Sequence, residues 1–135
     1  MANALYDEGR RAFLAGEIDW LGTNMRIILV DAADYTRDLA LHDFLDDVAA
    51  GAREEESSNL TTKTEADGIA DADNVTFSSA AGDHCEQIIG FEETGTDGTS
   101  QLIFNIDTAS GLPVTLNGGD VTVTWDNGAN KIFKL

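Results

Sequence analysis

Asp120-Val121-Thr122-Val123-Thr124-Trp125-Asp126, followed by Asn127-Gly128 and Lys131-Ile132-Phe133-Lys134-Leu135, is the stretch on which the fold class turns. Successive side chains of a strand point to opposite faces, so Val121, Val123 and Trp125 share a core face while the threonines between them face out. Asn-Gly is a strong hairpin signal because both residues tolerate positive φ. The reading is a strand over 120–126, a turn beginning at Asn127-Gly128, and a returning strand over 131–135. Asn117-Gly118-Gly119 marks the turn before it.

Outward from there the β pattern recurs. Residues 84–93 and 101–107 read as two strands of a hairpin, joined by the loop Thr94-Gly95-Thr96-Asp97-Gly98-Thr99. Val75-Thr76-Phe77 is a short strand. The threonine-rich stretch 60–65 predicts an edge strand or an extended arm. Met25-Arg26-Ile27-Ile28-Leu29-Val30-Asp31 is apolar on both alternating faces, which predicts a central strand buried on both sides. Residues 3–16 read as a helix capped by Asn3 and stopped by Gly16, with Asp7 and Glu8 at its positive end and Leu5, Tyr6, Ala12 and Phe13 on one face. Gly9 inside it permits close packing. Residues 42–48 predict one or two helical turns with Phe44, Leu45 and Val48 inward. Residues 51–58, with Arg53 followed by three glutamates, read as a solvated link because like charges repel. The expectation is a mainly β chain: a β-sandwich or partly open barrel of about seven short strands with a short N-terminal helix. It forms one domain over 1–135, with the helix at 1–16, the buried strand and a helical or loop segment at 17–58, and an antiparallel β region at 59–135.

The charge restricts the partners. The chain carries 25 acidic residues against 8 basic ones, a net charge of −17. Holding a nucleic-acid backbone requires clustered cations, and so does an anionic membrane surface, so neither is an expected partner. The acidity serves solubility or adaptation to salt, with docking to a basic partner or collection of divalent cations as the sharper alternatives. No apolar run is long enough to span a bilayer and no secretory signal is visible at the start. Asn59-Leu60-Thr61 and Asn74-Val75-Thr76 match the glycosylation pattern by chance.

No catalytic constellation emerges. His84 and Cys85 are adjacent on a strand and face opposite ways, so the histidine cannot serve the thiol as a base. Cys85, the lone cysteine, reads as a small buried hydrophobe. Asp67, Asp71, Asp73 and Asn74 form an acidic loop, which makes Asp71 and Asp73 weak candidate metal ligands, but the glycine and closing glutamate of a calcium loop are missing. Asp43, Asp46 and Asp47 read as the polar face of a short helix. No phosphate loop, dinucleotide fingerprint, nucleophile elbow or zinc spacing is present. No catalytic residue, cofactor or metal is therefore assigned.

The chain resembles a family of small structural proteins of tailed phages and prophages, nearly end to end. The resemblance rests on Ala4-Leu5-Tyr6-Asp7, Phe13-Leu14-Ala15-Gly16, Ile18-Asp19-Trp20, Ile28-Leu29-Val30-Asp31, Asp34-Tyr35-Thr36 and His42-Asp43-Phe44-Leu45-Asp46-Asp47. It continues through 68–77 and is most distinctive in Asp107-Thr108-Ala109-Ser110-Gly111-Leu112-Pro113-Val114, Asn117-Gly118-Gly119-Asp120 and Trp125-Asp126-Asn127-Gly128-Ala129-Asn130-Lys131-Ile132-Phe133. It departs at Arg53-Glu54-Glu55-Glu56, where fewer charges are expected. The resemblance implies a virion structural role, with head decoration (cement) on the outer capsid surface favoured. The implied partners are the major capsid protein and further copies of the chain, as a homotrimer. Leu5, Tyr6, Phe13, Trp20, Thr61, Thr62 and Lys63 are the candidate contact residues, through the N-terminal helix or an exposed strand open to β-augmentation. A tail or fibre-associated role is the alternative. A glycan-binding module would use Trp20 or Trp125 as a stacking platform, with Trp125 the more core-like of the two. An enzyme ranks last.

Overall fold

The computed structural model describes residues 3–135. Twelve short strands and one α-helix are present among them: β1 (Ala4–Leu5), α1 (Asp7–Leu14), β2 (Met25–Val30), β3 (Arg53–Glu56), β4 (Thr64–Ala66), β5 (Ile69–Asp71), β6 (Val75–Phe77), β7 (His84–Cys85), β8 (Gln87–Glu92), β9 (Leu102–Ile106), β10 (Val114–Thr115), β11 (Val121–Val123) and β12 (Phe133–Lys134). The chain is mainly β with a short N-terminal helix, as the sequence predicts, in more and shorter strands than the expected seven.

One five-stranded antiparallel sheet, in the order β1-β9-β8-β2-β3, carries the core. β2 lies inside it and is buried on both faces. Met25, Ile27 and Leu29 enter one apolar cluster with Trp20, Phe104, Trp125 and Phe133. Ile28 and Val30 enter a second with Tyr6, Leu45, Val48, Ile89 and Phe91. A side-chain period of two places each set on its own face. Closely packed small residues tie the layers together. A Cβ on Gly9 of α1 would lie 2.6 Å from the Leu102 carbonyl, so the glycine lets the helix rest on β9.

The remaining strands form small sheets: β12-β5-β4, β11-β6 and β10-β7. This arrangement corrects the reading of the C-terminal stretch. β11 pairs with β6, and β12 with β5, so residues 121–134 do not fold back on one another as a hairpin. The tight two-residue hairpin lies instead at Asp67-Gly68, where both residues have positive φ (55° and 80°) between the paired Ala66 and Ile69.

Three further expectations change. The helix begins at Asp7, because Ala4 and Leu5 pair with Asn105 and Phe104 as a strand. Asn3 caps no helix. Its Oδ1 accepts from the amides of Asp107 and Thr108, and its Nδ2 donates to the Thr108 carbonyl. Residues 53–56 are an edge strand rather than a solvated link, because each charge has its own partner. Arg53 donates to the Val48 and Leu45 carbonyls and to Asp97. Glu56 pairs with Arg26, while Glu54 and Glu55 accept from the amides of Asp83 and Ala81.

Beneath the second cluster runs a buried polar chain. Asn105 donates to the Tyr6 hydroxyl (3.3 Å), which lies 2.9 Å from the Tyr35 hydroxyl, which in turn lies 2.9 Å from His42 Nδ1. His42 Nδ1 also accepts from the Asp38 amide, so the hydroxyls donate in series toward it. Burial pushes both tyrosine hydroxyls above their ordinary pKa. Every member has a partner, as buried polar groups require.

Candidate functional site

A groove of about 560 Å3 lies between the N-terminal end and the C-terminal strand. Ala4, Leu5 and Arg10 form one wall and residues 130–134 the other, with Phe104, Asn105 and Trp125 beneath. Both walls are anchored to one aromatic cluster. Phe133 packs against Phe13, Trp20 and Phe104 at centroid separations of 5.8, 5.4 and 5.8 Å. Trp125 stands edge-on to Phe104 at 6.2 Å and donates Nε1 to the Asp73 carbonyl. Backbone bonds from Ile132 to the Ala70 carbonyl and from Leu135 to the Gly68 carbonyl fix the C-terminal wall. The Asn3 side chain fixes the opposite wall to the end of β9.

The charge pattern of the groove is unlike that of the rest of the chain. Of the eight basic residues, Arg11 pairs with Glu8 and Glu17, Arg26 with Glu56 and Glu93, Arg37 with Asp107, and Arg53 with Asp97. Lys63 donates to the Thr23 carbonyl and lies over the Trp20 ring. The remaining three, Arg10, Lys131 and Lys134, have no carboxylate partner among the described residues, and all three line this groove. Asp126 is its one acidic lining residue. Among the described residues, a protein of net charge −17 thus keeps three of its four cations without a carboxylate partner in a single cleft, where low-dielectric walls concentrate their field, the fourth being Lys63.

The residues picked from sequence fall elsewhere in part. Leu5 lines the groove, and Phe13 packs behind it on Phe133. Tyr6 is wholly buried and offers no surface to a partner. Trp20 is buried too, with Nε1 donating to the Thr64 carbonyl, which leaves it no free face for the alternative role of a stacking platform. Trp125 is core, as its alternation predicts. Thr61 and Thr62 spend their hydroxyls on the Asp73 carboxylate (3.1 and 2.7 Å). Asp73 is thereby engaged within the chain, and Asp71 sits in β5. The carboxylates that do converge among the described residues are Asp31, Glu54 and Asp83, within 4.8 Å of one another. Asp31 and Glu54 accept from the backbone amides of Ala33 and Asp83. His84 is exposed and bonds Thr115, while Cys85 points inward. Burial pushes the Cys85 thiol up to about 12, the opposite of an activated nucleophile.

Sequence reasoning passed over Arg10, Lys131 and Lys134. A signal was present: after Asp126 the chain has two lysines and no acidic residue, an exception in so acidic a sequence. No protein-family model matches the chain, and no curated protein matches it. No helix among the described residues is long and apolar enough to cross a membrane.

Proposed function

We propose that the chain is a structural, non-catalytic component of a tailed-phage particle, bound to the outside of the head as a decoration protein. Its partners in this reading are the major capsid protein and other copies of itself, as a trimer. The head location comes from the sequence resemblance. The observation that carries the docking role is the gathering of Arg10, Lys131 and Lys134 on one groove while the other five cations are occupied internally. The exposed strand β4, at the edge of its sheet, supplies a second surface suited to assembly. A predominantly negative exterior keeps particles apart.

The test is the copy number of the chain in purified particles, measured by quantitative mass spectrometry against the major capsid protein. A ratio near one to one, or another large simple fraction, is the expected result. A few copies per particle would move the chain to the tail. Absence from particles would overturn the virion reading altogether.

A further inference from the structure

We infer that the cation-lined groove is the self-association surface of this chain, and that its occupant is the acidic β4–β5 hairpin of a second copy. The inference rests on the self-association part of the proposed function and names the two surfaces that would make it.

Charge complementarity selects the occupant. Two copies at −17 each repel over most of their surfaces, so any stable contact must be made where cations are free. Arg10, Lys131 and Lys134 mark that place. The hairpin offers the matching charge. Residues 64–68 are all exposed, and they carry Glu65 on the edge strand and Asp67 at the turn. Neither carboxylate has an ion-pair partner among the described residues.

Backbone geometry agrees. Glu65 stands opposite Ala70, whose carbonyl turns away toward the β12 side to accept from Ile132, the residue before β12. In an antiparallel ladder, residues opposite each other turn their polar groups the same way relative to the pair, so the Glu65 N–H and C=O face outward, free of the ladder. β4 and β12 are the two edges of one three-stranded sheet, and β12 is the edge that borders the groove. A contact from the β4 edge of one copy to the β12 side of the next is therefore heterologous, the kind that propagates round a ring. Main-chain bonds at β4 would add to the ion pairs, as in β-augmentation.

Three variants of the full chain test this by sedimentation at fixed ionic strength, with circular dichroism confirming that each is folded. The groove variant is R10E/K131E/K134E, the hairpin variant is E65K/D67K, and the control is R11E. Wild type and control associate. The groove and hairpin variants are each monomeric alone, and mixing them recovers association, because each restores the charge complement the other lacks. R10Q/K131Q/K134Q, which removes charge without reversing it, weakens association less. A wild-type chain that remains monomeric at about 100 μM, well above micromolar dissociation constants, would overturn the inference. So would association unaffected by the groove variant, or R11E as damaging as the groove variant, which would reduce the effect to net charge. These results do not depend on particles, so the inference can fail while a high copy number on the head stands.

Discussion

The five-stranded sheet and the small C-terminal sheets are built on different terms. β2 and β8 present apolar side chains to both faces and have strands on both sides. β11 and β12 are two or three residues long, have one partner strand each, and carry half-exposed or exposed positions beside the buried Phe133. The first region gains stability from packing that any partner would leave untouched. The second contributes a few anchoring aromatics and otherwise displays polar side chains. The contrast explains why the groove lies at their junction: the sheet side holds one wall rigid with Arg10 on it, and the C-terminal segment carries Lys131 and Lys134 on the other.

Paired truncations put the contrast under the greatest strain. Ile28→Ala removes a fully buried side chain from β2 and is expected to cost about 2–5 kcal/mol in urea unfolding. Val123→Ala in β11, half-buried, is expected to cost roughly 1 kcal/mol or less. Equal losses would break the comparison. An effect smaller than that of Ile28→Ala is expected from Gly9→Ala. Alanine is the better helix former, yet its Cβ would meet the Leu102 carbonyl at 2.6 Å and the Ile103 Cα at 3.1 Å. A loss of about 1–3 kcal/mol would follow from displacing α1, whereas a gain would show that the helix does not bear on β9.

Glu92→Gln probes the end of β8, where the ordered sheet meets solvent, and has the smallest effect. Glu92 Oε2 is buried without a hydrogen-bond partner, and desolvation raises its carboxyl above the ordinary value of 4.5. A raised folded-state pKa gives a contribution fully present below 4.5 and lost as pH rises through the folded value. Glutamine avoids that loss. The variant is therefore expected to be slightly more stable than wild type at neutral pH, with the advantage fading below pH 4.5. An advantage that persists at low pH would assign it to something other than ionisation.

What was legible in the sequence follows the same division. β2 declared its two-sided burial by an apolar run broken only at Arg26, and β6 is where Val75-Thr76-Phe77 put it. The β8–β9 hairpin was visible because its strands are adjacent in sequence. The C-terminal pairing was not. Asn127-Gly128 is a local turn signal, but β11 and β12 each found partners some 45 to 65 residues earlier, and alternation alone cannot choose between a neighbour and a distant edge. β3 was hidden because its charges repel one another in sequence but find separate hydrogen-bond partners in space. No alternating neighbours mark Trp20 as core, and it is the tertiary contact with Thr64 and Phe133 that buries it. The groove required knowing which cations lack partners, a property of the fold that appears in the sequence only as the acid-free tail after Asp126.

The most direct test of the assembled account is zero-length carbodiimide cross-linking of intact particles, read by mass spectrometry, with mixed isotope labelling to separate links between copies from links within one. The account predicts links between copies joining Lys131 or Lys134 to Glu65 or Asp67. Lysines 131 and 134 that acetylate freely on intact particles, with no such links, would contradict it.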